Sequence, residues 1–94
     1  MKTYQVFLGT NKPTGGVVTI YEWSQFLKQV DAVFEGYTVE TALGAWKGER
    51  EKTYILTVVT DEIKQLIRIA EDYKSIFNQD SVLIQEQTVS PLFI

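Results

Sequence analysis

The rest of the chain is organised around the segment Gly44–Glu51, with the sequence GAWKGERE, which predicts the tip of a β-hairpin in the middle of the chain. The turn falls at Lys47–Gly48, between two stretches with the pattern of strands. Before the turn, Tyr37–Trp46 alternates with the period of two that is typical of a strand. After the turn, Thr53–Val59 is apolar on both sides, which favours a central strand because both of its faces are covered.

An amphipathic helix is predicted on each side of this hairpin. The first begins at Thr19 and Glu22, which form a capping box in which each side chain satisfies a free amide at the helix start. The second follows Thr60-Asp61-Glu62, and acidic residues are favoured in a first turn by the helix dipole. The residues expected to face the core are Ile20, Trp23, Leu27, Val30 and Phe34 in the first helix, and Ile63, Leu66, Ile67, Ala70, Tyr73 and Phe77 in the second, with Ile69 and Ile76 at the edge of that stripe.

The outer strands complete a β-α-β-β-α-β order. Thr3–Gly9 alternates as a first strand, and Ser81–Thr88 is the last strand, followed by a short apolar tail at 90–94. The right-handed crossover rule then predicts one α+β domain over residues 1–94, a ferredoxin-like fold with a four-stranded antiparallel sheet and both helices on one face. Strands one and three are central in this arrangement. The opposite sheet face is expected to carry Phe7, Trp46, Ile55 and Leu83 among threonines and glutamines.

The composition limits what the protein does. The 94 residues suit one small domain, and a hydrophobic fraction of 45% with a net charge of −3 is typical of soluble globular chains. Because cysteine and histidine are both absent, disulfides, thiolate nucleophiles and the usual general base are excluded, and we expect neither a metal nor a cofactor. The mild acidity argues against nucleic-acid binding, and no apolar run approaches a membrane span. Residues 1–20 lack the apolar core of a signal peptide, so a cytoplasmic location is expected.

The hairpin tip is the candidate ligand-binding site. The guanidinium group of Arg50 offers two donors suited to a carboxylate or phosphate, and Trp46 is available to pack over it or over the ligand, so a small anionic ligand is expected. The competing interpretation is a solvated tip on which Trp46 only covers the sheet. The full set of candidate ligand-binding residues is Trp46, Glu49, Arg50 and Glu51 on the hairpin, with Asn11 and Thr14 on the loop before the first helix.

Four sequence blocks also resemble a known family of small bacterial proteins, a domain of unknown function with many exported lipoprotein members. The blocks are P-x-G-G-x-V-T-x-x-E-W-x-x-F-L at 13–27, G-x-W at 44–46, R-E at 50–51 and Y-K-x-x-F-x-Q-x-S-V-L at 73–83. This chain differs where members usually have an acid (Thr14) and where they have Gln and Arg (Ala45 and Lys47), and the lipoprotein signal and its cysteine are absent. The resemblance implies a compact α+β domain, with no established activity to transfer.

Three classes of function follow from these patterns. The first is a non-catalytic module that self-associates, as a homodimer, and binds a ligand or partner through the open sheet face, since a half-apolar exposed face usually marks a partner surface. The second is a small cofactor-independent enzyme that resembles the dimeric α/β-barrel monooxygenases and isomerases, many of which use a histidine that this chain lacks. The third is a structural accessory subunit.

Overall fold

The computed structural model describes residues 1–88 and 92–94, and it confirms the predicted order and topology. The elements are β1 (Lys2–Gly9), α1 (Ile20–Val33), β2 (Thr38–Trp46), β3 (Glu49–Thr60), α2 (Ile63–Ile76) and β4 (Leu83–Gln87). The strands form one antiparallel sheet in the order β2-β3-β1-β4, so β1 and β3 are central as expected. Of the predicted tail, residues 90 and 91 lie outside the described residues, and Leu92–Ile94 is exposed.

The β2–β3 hairpin closes through a two-residue turn at the predicted position. Trp46 pairs with Glu49, and Lys47 and Gly48 between them have φ angles of 51° and 81°. Two consecutive positive φ values match the twist of antiparallel strands and are tolerated best by glycine and a few polar residues. The local sequence therefore fixes the register of β2 against β3, and with it the face on which every side chain of the hairpin lies.

Helix α1 has the predicted start but a rotated core face. The capping box is complete, because the Thr19 hydroxyl accepts from the Glu22 amide at 3.1 Å and the Glu22 carboxylate accepts from the Thr19 amide at 3.0 Å. Phe26 is buried, whereas Leu27 is only partly buried and Ile20 is 66% exposed. The predicted stripe is therefore wrong at Ile20 and omits Phe26, which packs against the aromatic residues of α2, whereas Leu27 packs at the margin of the core.

Helix α2 also differs in detail from its prediction. Ile69 is buried and Ile67 is 42% exposed, so the core face includes Ile69 in place of Ile67. The helix begins after Glu62 without a side-chain cap, and its first turn contains no acid. Instead, the Thr60 hydroxyl accepts from the Glu62 amide at 2.8 Å. The predicted acids therefore lie just before the first turn and not inside it.

The core lies between the helices and one face of the sheet, and aromatic rings fill its middle. Trp23 of α1 stacks on Tyr54 of β3 with ring centroids 3.9 Å apart and an angle of 7°. The ring of Tyr73 meets Phe26 and Phe77 edge-on at 5.0 and 4.8 Å. Such tilted pairs stabilise a core beyond the area they bury. Both described helices occupy this side, so within residues 1–88 the opposite sheet face is covered by no helix.

Candidate functional site

A groove forms on the open sheet face where the hairpin extends past the end of β1. The pairing of β1 with β3 stops at Gly9 and Thr53, whereas β2 and β3 remain paired up to Trp46 and Glu49. The free end of the hairpin meets the loop between α2 and β4, because Trp46 Nε1 donates to Asp80 Oδ2 at 3.3 Å. The ammonium group of the next residue, Lys47, lies 3.1 Å from the same oxygen. We call the depression between these segments the open-face groove.

The open-face groove has the size and composition of a small-molecule site. Its volume is about 650 Å³, within the range of roughly 300–1,000 Å³ that is usual for ligand pockets. Half-buried Phe7 and Ile55 are paired neighbours on the central strands, and Leu83 of β4 pairs with Phe7 on the other side. The lining also includes Gly9, Asn11, Lys12, Ala42, Trp46, Lys47, Glu49, Glu51, Thr53, Gln79 and Asp80.

The side chain of Glu51 lies across Gly9 at the end of the groove. A Cβ atom on residue 9 would lie 2.6 Å from Glu51 Oε1 and 2.7 Å from its Oε2, so only glycine leaves room for the carboxylate in this position. The backbone amide of Asn11 donates to Glu51 Oε2 at 2.9 Å. The Asn11 side chain also donates to the backbone oxygen of Arg50 at 3.1 Å. Residues 9–11 therefore hold the hairpin in place.

Tyr73 contacts the same end of β1 from the helix side of the sheet. Its side chain is fully buried, and its hydroxyl donates to the Gly9 carbonyl oxygen at 2.6 Å. Burial raises the pKa of the Tyr73 hydroxyl, and the negative charge of Glu51 raises it further. Tyr73 is therefore a neutral hydrogen-bond donor at neutral pH, and it anchors the strand end over which Glu51 lies.

The loop before α1 is fixed beside the groove by two side-chain contacts. Lys12 Nζ lies 2.9 Å from Glu22 Oε2, and both side chains are largely covered. Hydrogen bonds from the Thr19 backbone and from Lys12 hold the pKa of Glu22 below its usual value. On the other side, Gln79 Nε2 donates to the Asn11 carbonyl oxygen at 3.1 Å. The loop is thus joined to α1 and to the α2–β4 connection.

The hairpin tip is closed by an interaction that sequence reasoning missed. Hydrogen bonds from Trp46 and Lys47, in that order of effect, hold the pKa of the Asp80 carboxyl below its usual value. The Asp80 side chain is nearly half exposed, so solvent screening keeps the energetic effect of this contact small. Its main consequence is geometric, because it holds the wall of the groove against the α2–β4 loop.

The structure brings together four of the six predicted site residues. Trp46, Glu49, Glu51 and Asn11 line the open-face groove. Arg50 pairs with Ala45 across the hairpin and therefore points to the other face, beside the start of α1. Thr14 is exposed in the loop and does not line the groove. Trp46 and Arg50 therefore lie on opposite faces of the hairpin and are not placed to contact one ligand together. The ligand-binding role of the four residues that line the groove stays a prediction.

Neither of the two described helices, at 14 residues each, has the length and hydrophobicity that crossing a bilayer requires. Within the described residues, no group of three or more acidic side chains is placed to hold a metal ion.

The fold and the groove together define a class: an α+β domain of the ferredoxin-like type with a ligand-sized groove on its open sheet face. The chain belongs to the family described as "protein of unknown function (DUF3574)", whose model matches residues 3–93. This membership confirms the resemblance to a domain of unknown function that the sequence indicated.

One solved structure similar to this chain is the "De novo designed protein Foldit4". The two share 13% sequence identity with a TM-score of 0.60, over 95% of this chain and 98% of that chain. A likeness at this identity concerns the fold alone and carries no activity. Among curated proteins, none matches this chain significantly.

Proposed function

We propose that this protein is a non-catalytic binding module that takes up a small, partly apolar ligand in the open-face groove. The observation that carries the proposal is the groove itself, a concave space of about 650 Å³ with half-buried Phe7 and Ile55 beneath it and polar groups at one end. Apolar surface with a few placed polar groups is the usual composition of a ligand site. Binding is preferred to catalysis because the chain has neither histidine nor cysteine, and the Asp80 carboxylate is already engaged by Trp46 and Lys47.

A groove-filling variant tests this proposal. Ala42 is half-buried on the groove side of β2, so Ala42→Phe should occupy part of the space, whereas Ala32→Phe adds the same ring at an exposed position on α1. A fragment library is screened by thermal shift against the parent and both variants. We expect compounds that stabilise the parent and Ala32→Phe but not Ala42→Phe. A screen with no stabilising compound, or with equal stabilisation of all three proteins, would contradict ligand binding in the groove.

Self-association through the same face is a second proposal, favoured by the apolar side chains that the sheet leaves uncovered. Leu83 and Trp46 are 52% and 51% exposed, beside half-buried Phe7 and Ile55. A second copy of the chain, docked face to face, would bury these side chains and complete the groove. A domain of this size gains more than a large one from such burial, because it covers a small share of its own surface.

The oligomeric state tests the second proposal with a closely matched pair of variants. Leu83 on the sheet and Ile76 on α2 are 52% and 51% exposed, so a glutamate at either position meets similar solvent in the single chain. Sedimentation at micromolar concentration should give a dimer for the parent and for Ile76→Glu, and a monomer for Leu83→Glu. A monomeric parent, or a dimer that survives Leu83→Glu, would rule out docking through this face.

A further inference from the structure

The hydrogen bonds around the open-face groove indicate whether a ligand would have to supply donors or acceptors. Each side-chain nitrogen that lines the groove already has an acceptor oxygen in the protein. Trp46 Nε1 and Lys47 Nζ donate to Asp80, Lys12 Nζ donates to Glu22, and the side-chain amides of Asn11 and Gln79 donate to backbone carbonyl oxygens. Both ammonium groups are therefore already paired with a carboxylate of the protein, which weakens their attraction for an anionic ligand.

The main acceptor of the groove, the Glu51 carboxylate, still has an oxygen without a donor from the described residues. Glu51 Oε2 accepts one hydrogen bond from the Asn11 amide, but Glu51 Oε1 accepts none from the described residues. No ammonium or guanidinium group of the described chain lies within 4 Å of this half-buried carboxylate. A carboxylate has several acceptor sites and usually fills them with donors when it is partly withdrawn from water.

The charge of the groove points in the same direction. Lys47 is neutralised by Asp80 and Lys12 by Glu22, at 3.1 and 2.9 Å. Glu51 and the exposed Glu49 then remain as unpaired negative charges on the lining of the groove. Attraction between opposite charges strengthens as the site is withdrawn from water, so a bound cation near Glu51 is favoured over the same cation at the open surface.

We propose, as a refinement that rests on the proposed function, that the open-face groove selects cationic ligands, with Glu51 as the counter-charge. The ligand class is an organic ammonium ion, such as a primary amine, carried on a short aromatic or aliphatic body. The ammonium group donates to Glu51 Oε1 above Gly9, and the body lies against Phe7 and Ile55. This class differs from the anion expected from the sequence, because that expectation depended on Arg50, which lies on the other face.

The experiment compares three probes of one shape that differ in their charge. 2-Phenylethylamine, 2-phenylethanol and 3-phenylpropionate are titrated into the full chain at low ionic strength, and binding is followed by Trp46 emission, with Trp46→Phe defining the background from Trp23. We expect the amine to bind at least tenfold more tightly than the alcohol, and the carboxylate more weakly still. Raising the salt concentration should narrow this preference, since screening weakens the attraction.

Two charge-removing variants locate the effect. Glu51→Gln keeps an oxygen that accepts from the Asn11 amide, so the fold is preserved while the charge is lost; an unchanged melting temperature checks this. It should lower amine affinity about tenfold and leave alcohol affinity unchanged. Glu71→Gln removes the same charge at an exposed position on α2, outside the groove lining, and should keep the preference.

The possible outcomes separate this refinement from the proposed function. If amine and alcohol bind equally, or Glu51→Gln keeps the preference, the cationic class is wrong while ligand binding in the groove stands. If the carboxylate binds most tightly, the anion expected from the sequence replaces it. If none of the probes binds while the groove-filling variant still blocks other compounds, only the refinement fails. If no compound of any charge binds the groove, the refinement falls together with the proposed function.

Discussion

Substitution of Tyr73 by phenylalanine tests whether the buried hydroxyl anchors the end of β1 beneath the groove. The ring is fully buried against Phe26 and Phe77, and phenylalanine retains that packing. Only the hydrogen bond from the hydroxyl to the Gly9 carbonyl oxygen, 2.6 Å long, is removed. Losing this hydrogen bond and leaving the partly buried Gly9 oxygen without this partner costs about 1–3 kcal/mol.

The free energy of unfolding is measured by urea denaturation at pH 7 for the parent and Tyr73→Phe, with Tyr21→Phe as control. Tyr21 is 72% exposed, so removal of its hydroxyl should change stability by no more than about 0.5 kcal/mol. For a chain of this length, a loss of about 1–3 kcal/mol lowers the melting temperature by roughly 4–24 °C. If Tyr73→Phe and Tyr21→Phe unfold alike, the Tyr73 hydroxyl does not anchor the strand end.

The pH dependence of the free energy of unfolding, compared between the parent and Tyr73→Phe, gives an independent check. Burial raises the pKa of Tyr73 above its unfolded value, so the folded state disfavours loss of this proton. The stability that depends on neutral Tyr73 is therefore fully present below about pH 10, the unfolded pKa, and it is lost as the pH rises above that value. Tyr73→Phe cannot lose a proton there, so its stability should fall less steeply than that of the parent between pH 9 and 11. Parallel curves would contradict the assignment.

The other predictions concern the helix faces, the cap and the hairpin contact. Phe26→Ala should cost about 3–5 kcal/mol and the neighbouring Leu27→Ala clearly less, since only Phe26 is fully buried; a larger loss for Leu27→Ala in urea denaturation would restore the original stripe. Thr19→Ala removes half of the capping box and should cost about 1 kcal/mol by the same measurement, and no loss would mean that the cap is redundant. The pKa of Asp80 is lowered in the folded state, so its contact with Trp46 is present above the usual carboxyl pKa and is lost as the pH falls through the folded value. Trp46 emission should therefore change below about pH 4. Asp80→Asn should abolish that acid change, and an emission that is flat down to the acid-unfolding transition would show that the contact does not form.

Local patterns in the sequence were enough to predict the elements and their order. The capping box at Thr19 and the turn at Lys47–Gly48 are both found where they were expected, because each depends on residues within a few positions of one another. Once the β-α-β-β-α-β order is known, the handedness of the connections leaves few topologies. The central position of β3 also followed from its residues, which are apolar on both sides.

The helix faces show where such patterns stop being decisive. Phe26 and Leu27 lie next to each other on α1, and Ile67 and Ile69 lie near each other on α2, so each pair offers an apolar residue to more than one face of its helix. The period of an amphipathic helix defines a stripe more than 100° wide, and it does not define the centre of that stripe. The opposing surface makes the choice: the ring of Tyr73 meets Phe26 edge-on, and Leu27 is left at the margin.

The candidate site depended on tertiary structure more than the fold did. The sequence placed Trp46, Glu49 and Glu51 together on the hairpin, but the strand alternation turned Arg50 away from them. Asp80 reaches Trp46 across 34 positions of sequence, and no local pattern indicates a contact between two parts of the chain that only the folded sheet brings together. The Glu51 carboxylate of the neighbouring strand lies over Gly9 because residue 9 has no side chain, and only the folded sheet brings these two residues together. Helices, turns and strand order are properties of neighbouring residues, whereas a groove is formed by segments that meet only after folding.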